Sequence, residues 1–268
     1  MATPSAAPAD PSSVTDWLMQ EHVSRHRFEP FAARHGIDTL ARAYQVQREY
    51  VARQAAVRRV GRAGYKIGLT SPAMQAMCGI DTPVAGVVLA DRVHVSGVRL
   101  SLADPVRFGI ECEIAVRLER DLPSVGRAFT LADVQDAVGA VAPAFEIVDD
   151  RHCDYRTLDV GSLVADNAWN AGIVLGEFRT DWPELADVVG RVFVDDAVLD
   201  QGRGRDVLSH PLLPVVWLAN HLAGAGSGLL AGEVVMTGSL VTTKFPVAPG
   251  AYRFEVSGLG AVEVTLLA

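Results

Sequence analysis

Residues 109–118 read GIECEIAVRL. An apolar run of this length, rich in β-branched residues, predicts a strand entering a core. Side chains at i and i+2 of a strand share one face, roughly 7 Å apart, so Glu111 and Glu113 point the same way. Cys112 then faces the other side of the sheet, where packing is its expected role. Two buried anions this close repel and lack hydration unless a cation sits between them. An edge strand with both glutamates in water would carry the same Glu-x-Glu pattern. A third acid in an apolar setting shifts the balance toward a metal: Glu146, within VAPAFEIVDD at 141–150. Three carboxylates with water make an all-oxygen set suited to magnesium or manganese, and no His or Cys stands at zinc-site spacing.

Outward from this run the chain is β-rich from Gly64 onward. Short apolar stretches broken by Gly, Pro and Asp predict strands at 65–69, 84–89, 93–95, 111–118 and 142–148, then at 172–175, 192–194, 234–237 and within 252–267. Helical inserts are expected at 131–138 and 211–222, the second with an apolar stripe of Leu212, Val215, Val216 and Ala219. Before Gly64 the pattern is helical: Leu40, Ala43, Tyr44, Val46, Gln47 and Tyr50 recur at three- and four-residue steps. Residues 1–13, mostly Pro, Ala and Ser, are expected to be a mobile tail ending in a Ser/Thr cluster suited to capping a helix. The expected organisation is a tail (1–13), a helical segment (14–62) and one β-dominated α+β domain (63–268), with no internal repeat.

Composition narrows the function classes. The chain has 268 residues, about half of them hydrophobic, enough for a substantial core. Its net charge of -8 is spread out and its basic residues never form a run, which argues against nucleic acid as a partner. Cys78, Cys112 and Cys153 are too widely spaced for a zinc knuckle and odd in number for a closed disulfide set. With no export signal and no long apolar span, a cytoplasmic enzyme away from the membrane is expected. No Gly-x-Ser-x-Gly elbow or P-loop appears, which disfavours serine-nucleophile and nucleotide-phosphate chemistry.

Four further features could carry chemistry. Lys66, in GYKIGLTS at 64–71, is a lysine in an apolar strand bordered by glycines; its amine could neutralise an enolate or move a proton, or its stem could pack while the amine reaches solvent. VADNAWNAG at 164–172 gathers Asp166, Asn167 and Asn170, as turn chemistry or as a minor ligand site. MTGSL at 236–240 could turn backbone amides toward a carboxylate or form a plain β-turn. His152, among Asp149, Asp150 and Asp154, is read as one side of a loop salt bridge.

Taken together, AYQVQ (43–47), GYKIGLTS (64–71), ECE (111–113), PAFEIVD (143–149), VADNA (164–168) and TGS (237–239) make the chain resemble the fumarylacetoacetate hydrolase superfamily, in the branch of 2-oxopent-4-enoate hydratases and 4-oxalocrotonate decarboxylases. The likeness runs from about Leu40 to the C-terminus. It implies a mixed β-sandwich roll with a helical N-terminal segment, a homo-oligomer that could work beside a pathway partner enzyme, and magnesium or manganese held by Glu111, Glu113 and Glu146. It also implies that Lys66 is the catalytic group in a pocket walled by Leu69, Asp166, Asn167, Trp169, Thr237, Gly238 and Ser239.

The chemistry this resemblance implies is that of a small 2-oxo acid. Its carboxylate and adjacent carbonyl would chelate one metal, which stabilises the enolate charge. The expected activity is hydration of a 2-hydroxy-2,4-dienoate to a 4-hydroxy-2-oxo acid in aromatic catabolism. The alternatives are decarboxylation of a 4-oxalocrotonate-type acid, carbon-carbon hydrolysis of an acylpyruvate, or a non-catalytic partner subunit. Two positions depart from the hydratase pattern: Val84 stands where an acid follows the Pro of a DxPD-like segment, and Trp169 stands where a serine follows VADNA.

Overall fold

The computed structural model describes residues 11–124 and 126–268. The helical N-terminal segment comprises α1 (Pro11–Ser24) and α2 (Leu40–Arg58). Most of the expected tail lies outside the described residues, but Ser12 and Ser13 fall inside α1 rather than ahead of it. Thr39 caps α2 by accepting the Arg42 amide, and the stripe Ala43, Tyr44, Val46, Gln47 and Tyr50 is buried as its spacing predicts. Two of these residues tie the helix to the sheet below. The Tyr44 hydroxyl accepts the Ala85 amide, and Gln47 Nε2 donates to the carbonyls of Ala85 and Val164.

The body begins with β1 (Arg62–Gly68), α3 (Pro72–Met77), β2 (Val84–Leu89), β3 (Val93–Val95), β4 (Val98–Ser101) and β5 (Phe108–Leu118). It continues through α4 (Leu131–Ala137), β6 (Val138–Asp149), α5 (Val160–Ala165), β7 (Asn170–Leu175), β8 (Val189–Val194) and β9 (Ala197–Arg203). It ends with α6 (Leu212–Gly224), β10 (Val234–Ser239), β11 (Gly250–Val256) and β12 (Gly260–Leu267). A mixed seven-stranded sheet has the order β2-β1-β10-β5-β6-β7-β3, and a five-stranded sheet the order β4-β12-β11-β8-β9. The smaller sheet lays β11 and β12 on β6 and β7, with Phe254 against Phe145, which is the expected sandwich.

Alternation along β5 and β6 decides what each face carries. Ile110, Cys112 and Ile114 point with Phe145 and Ile147 into the main core, so Cys112 is fully buried as packing. The opposite face carries Glu111, Glu113 and Glu146, above a floor of Ala115, Ala144, Ile173 and Met236. All three cysteines are free thiols. Among the described residues no helix is long and apolar enough to cross a membrane.

Candidate metal centre and cavity

Register brings the acids together. Glu111 lies directly opposite Glu146 in the β5–β6 ladder, and Glu113 follows two residues along β5 on the same face. One oxygen from each carboxylate lies within 4.8 Å of the others. Glu113 and Glu146 are fully buried, while Glu111 is half-buried and reaches the adjoining cavity.

Each carboxylate has one oxygen fixed by the protein. Thr243 Oγ1 bonds Glu111 Oε1 at 2.6 Å, the Gly238 amide donates to Glu113 Oε2 at 2.7 Å, and Asn170 Nδ2 donates to Glu146 Oε1 at 2.9 Å. The Lys66 ammonium stands 3.1 Å from that same Glu146 oxygen. The remaining oxygens of the buried pair, Glu113 Oε1 and Glu146 Oε2, have no partner among the described residues. Buried anionic oxygens left bare are costly, and a hard divalent ion is the group that an all-carboxylate set of this kind fits. Electrostatics agree with the geometry. Burial pushes Glu146 up to about 7, with Lys66 and Asn170 pulling it down and Glu111 adding to the rise. Burial, then Glu146 and Glu111, drive Glu113 well above the usual carboxylate range. Burial works against the Lys66 charge, but the three carboxylates outweigh it and hold the amine above its ordinary value. Lys66 is only 4 % exposed, so the solvent-reaching reading of this residue does not hold.

The Gly238 amide reaches Glu113 because of a bulge. The β10–β5 register slips between Met236 and Ser239, and Gly238 takes φ +111° there. An added Cβ would lie 2.3 Å from Thr70 Oγ1, so both conformation and space call for glycine. In MTGSL, then, the amide turned toward a carboxylate faces a glutamate of the protein itself.

A cavity of about 620 Å³ opens above the acids, lined by Lys66, Leu69, Glu111, Trp169 and Ser239 among others. Val84 lines it too, placing hydrocarbon at the position of the hydratase acid. Four of the residues expected in its wall are placed elsewhere. Asp166 is buried between Arg151 and His22, each 2.6 Å from one of its oxygens, and faces a second cavity. Burial pushes its carboxyl up, yet His22 and Arg151 outweigh that and hold it below the ordinary value. Asn167 uses its side-chain amide on both backbone groups of Val87, as a strand neighbour would. Thr237 is fully buried and donates to the Ile114 carbonyl, and Gly238 serves Glu113. The salt bridge read at His152 is replaced by others: Arg107 pairs with Asp150 and Arg156 with Asp154. Sequence reasoning missed Thr243, the Tyr155 hydroxyl that donates to Asp150 at the cavity wall, and the whole of α3. For α3 a signal existed, since Ser71-Pro72 is an N-cap followed by Pro in the first turn.

Known proteins place this geometry. The profile described as fumarylacetoacetate (FAA) hydrolase C-terminal matches residues 51–267. A 2-keto-4-pentenoate hydratase of Burkholderia vietnamiensis is 37% identical over 234 residues, covering 86% of each chain. A 4-oxalocrotonate decarboxylase of Pseudomonas putida is 36% identical over 230 residues, covering 84% of each. The structure of the 4-oxalocrotonate decarboxylase from Pseudomonas putida G7, complexed with magnesium and adipate, superposes with a TM-score of 0.88 at 27% identity, over 96% of this chain and 97% of that one. The chain belongs to the fumarylacetoacetate hydrolase family.

Proposed function

We propose that this protein is a divalent-metal-dependent hydro-lyase that hydrates a 2-hydroxy-2,4-dienoate of the 2-oxopent-4-enoate type, as formed in aromatic ring cleavage, to a 4-hydroxy-2-oxo acid. Glu111, Glu113 and Glu146 would hold magnesium or manganese. The observation that carries the reading is the pair of bare buried oxygens, Glu113 Oε1 and Glu146 Oε2, beside an ammonium at the base of a cavity. The hydratase relative supports the reaction, and the magnesium in the decarboxylase structure supports the ion.

In the balanced reaction the 2-hydroxyl proton leaves and a proton is added at C5, giving the conjugated 2-oxo acid; water then places its oxygen on C4 and a proton on C3. A bound dication supplies stabilisation for the negative charge that develops on the 2-oxygen. Lys66, held as an ammonium by the carboxylates, lines the cavity as the protein's own cation for that charge. Thr243, Gly238 and Asn170 fix the three carboxylates so that their free oxygens need no reorganisation. Val84 supplies no acid or base, so the proton released from the 2-hydroxyl would pass to water in the cavity rather than to a side chain at that position.

Purified protein with magnesium is given the dienol and, separately, 4-oxalocrotonate, and absorbance and carbon dioxide are followed in each. Loss of dienol without carbon dioxide is the expected result. Carbon dioxide release from 4-oxalocrotonate would replace the hydratase with the decarboxylase, and absence of both turnover and metal uptake would leave a non-catalytic subunit.

A further inference from the structure

Where α3 borders it, the cavity has an apolar rim. Met74 and Met77 stand three residues apart on α3, 40% and 43% exposed, at the rim. Leu158, Trp169, Phe245 and Val84 add further hydrocarbon to the lining of the same cavity. Among the described residues, the charged groups lining the cavity are Lys66, Glu111, Asp200 and Asp206. The single cation there, Lys66, belongs to the acid cluster, 3.1 Å from Glu146, where the oxo-acid end would use it. The cations behind the wall are also engaged: Lys244 is held by Asp200 at 2.5 Å, and Arg107 is held by Asp150 at 3.0 Å while lying over the Phe245 ring. A second carboxylate at this rim would meet hydrocarbon and find no uncommitted cation among the residues that line the cavity.

We propose that this rim selects an uncharged apolar tail, so that the substrates are monocarboxylic 2-hydroxydienoates carrying an alkyl chain of several carbons at the end remote from the oxo acid. The inference rests on the hydratase reading for the oxo-acid end alone. At about 620 Å³ the cavity is far larger than a five-carbon acid fills, and it falls in the range that takes drug-sized ligands. Methionine suits such a rim because its unbranched, polarisable side chain repacks around chains of different length. The rim is also tied to the reacting end. Gln75 donates to the Leu69 carbonyl, so α3 is fastened directly after the strand that carries Lys66.

The test measures binding and turnover separately on the magnesium-loaded protein. Calorimetry with 2-oxopentanoate, 2-oxooctanoate and 2-oxooctanedioate should give affinity rising about fourfold per added methylene. The dicarboxylate should bind on the order of a hundredfold more weakly than the monocarboxylate of equal length. Dienoates with matching tails should follow the same order in kcat/KM. Met77→Arg, at an exposed position, should raise the dicarboxylate relative to the monocarboxylate. Equal or tighter binding of the dicarboxylate, affinity independent of tail length, or an unchanged ratio in the arginine variant would each overturn the tail assignment even if dienoates are hydrated. If the affinities follow the tail but no dienoate turns over, the reaction reading fails and the tail assignment stands.

Discussion

Glu146→Gln separates the cost of the acid cluster from its use. In the metal-free protein the Glu146 carboxyl holds its proton to about pH 7, against 4.5 for an ordinary glutamate. Between those values the folded protein binds more protons than the unfolded chain, so stability falls as pH rises through the window and the loss is complete above it. A shift of this size corresponds to about 3 kcal/mol. Glutamine keeps the shape: its oxygen can still accept from Asn170 and Lys66, and its NH2 takes the place of the bare Oε2. The metal-free variant at pH 8 should therefore be more stable than the parent by about 3 kcal/mol, or roughly 6–12 °C in Tm for a chain of this size. Magnesium should reverse the order, because the dication stabilises the parent and finds a weaker site in the variant. Thermal scans from pH 5 to 9, with chelator and with saturating magnesium, read both effects. A metal-free variant less stable than the parent at pH 8, or equal stabilisation of both by magnesium, refutes the picture of repelling carboxylates relieved by an ion.

Lys66→Met should lower kcat by about a thousandfold, while calorimetry shows magnesium bound at least as tightly, since the ammonium that repels it is gone. Gly238→Ala adds a Cβ 2.3 Å from Thr70 Oγ1 at φ +111°; it should cost at least about 2 kcal/mol in urea unfolding and weaken magnesium binding, because the amide on Glu113 must move. Asp166→Asn removes the charge that pairs with buried Arg151; it should cost about 3–5 kcal/mol of stability and leave magnesium affinity unchanged by calorimetry.

The acid trio was legible because a strand's period of two is local: ECE places its glutamates on one face whatever the rest of the chain does. That Glu146 sits directly opposite Glu111 is a matter of register, which arises only when β5 and β6 pair. The groups that orient the acids were harder to read. Thr243 is 132 residues from Glu111 and Gly238 is 125 from Glu113, with nothing periodic to link them. Asp166 was misplaced for the same reason, since its partner His22 lies 144 residues away on α1. Among the elements, the long α2 and the apolar strands declared themselves, whereas six-residue α3 and α5 are too short to show a helical period. Strand β9 (AVLDQGR) is mostly exposed at a sheet edge and its apolar and polar residues do not alternate, and β4 has four residues.

The segment between α5 and β7 shows why the fold tolerates an awkward backbone at this place. Asn167, Ala168 and Trp169 take φ of 52°, 47° and 61° in succession, a left-handed turn built without glycine. Each such residue costs on the order of 1 kcal/mol or more, so other contacts must hold the turn. Asn167 secures one end with its two bonds to Val87, and Trp169 secures the other by packing edge-on against Phe28 and Tyr155. The result is a reversal that no right-handed turn would give: Trp169 is delivered to the cavity wall, and the next residue, Asn170, enters β7 with its amide on Glu146. One strained turn therefore sets both a wall of the tail site and the orientation of an acid ligand, so changes that relax it should disturb tail preference and metal affinity together.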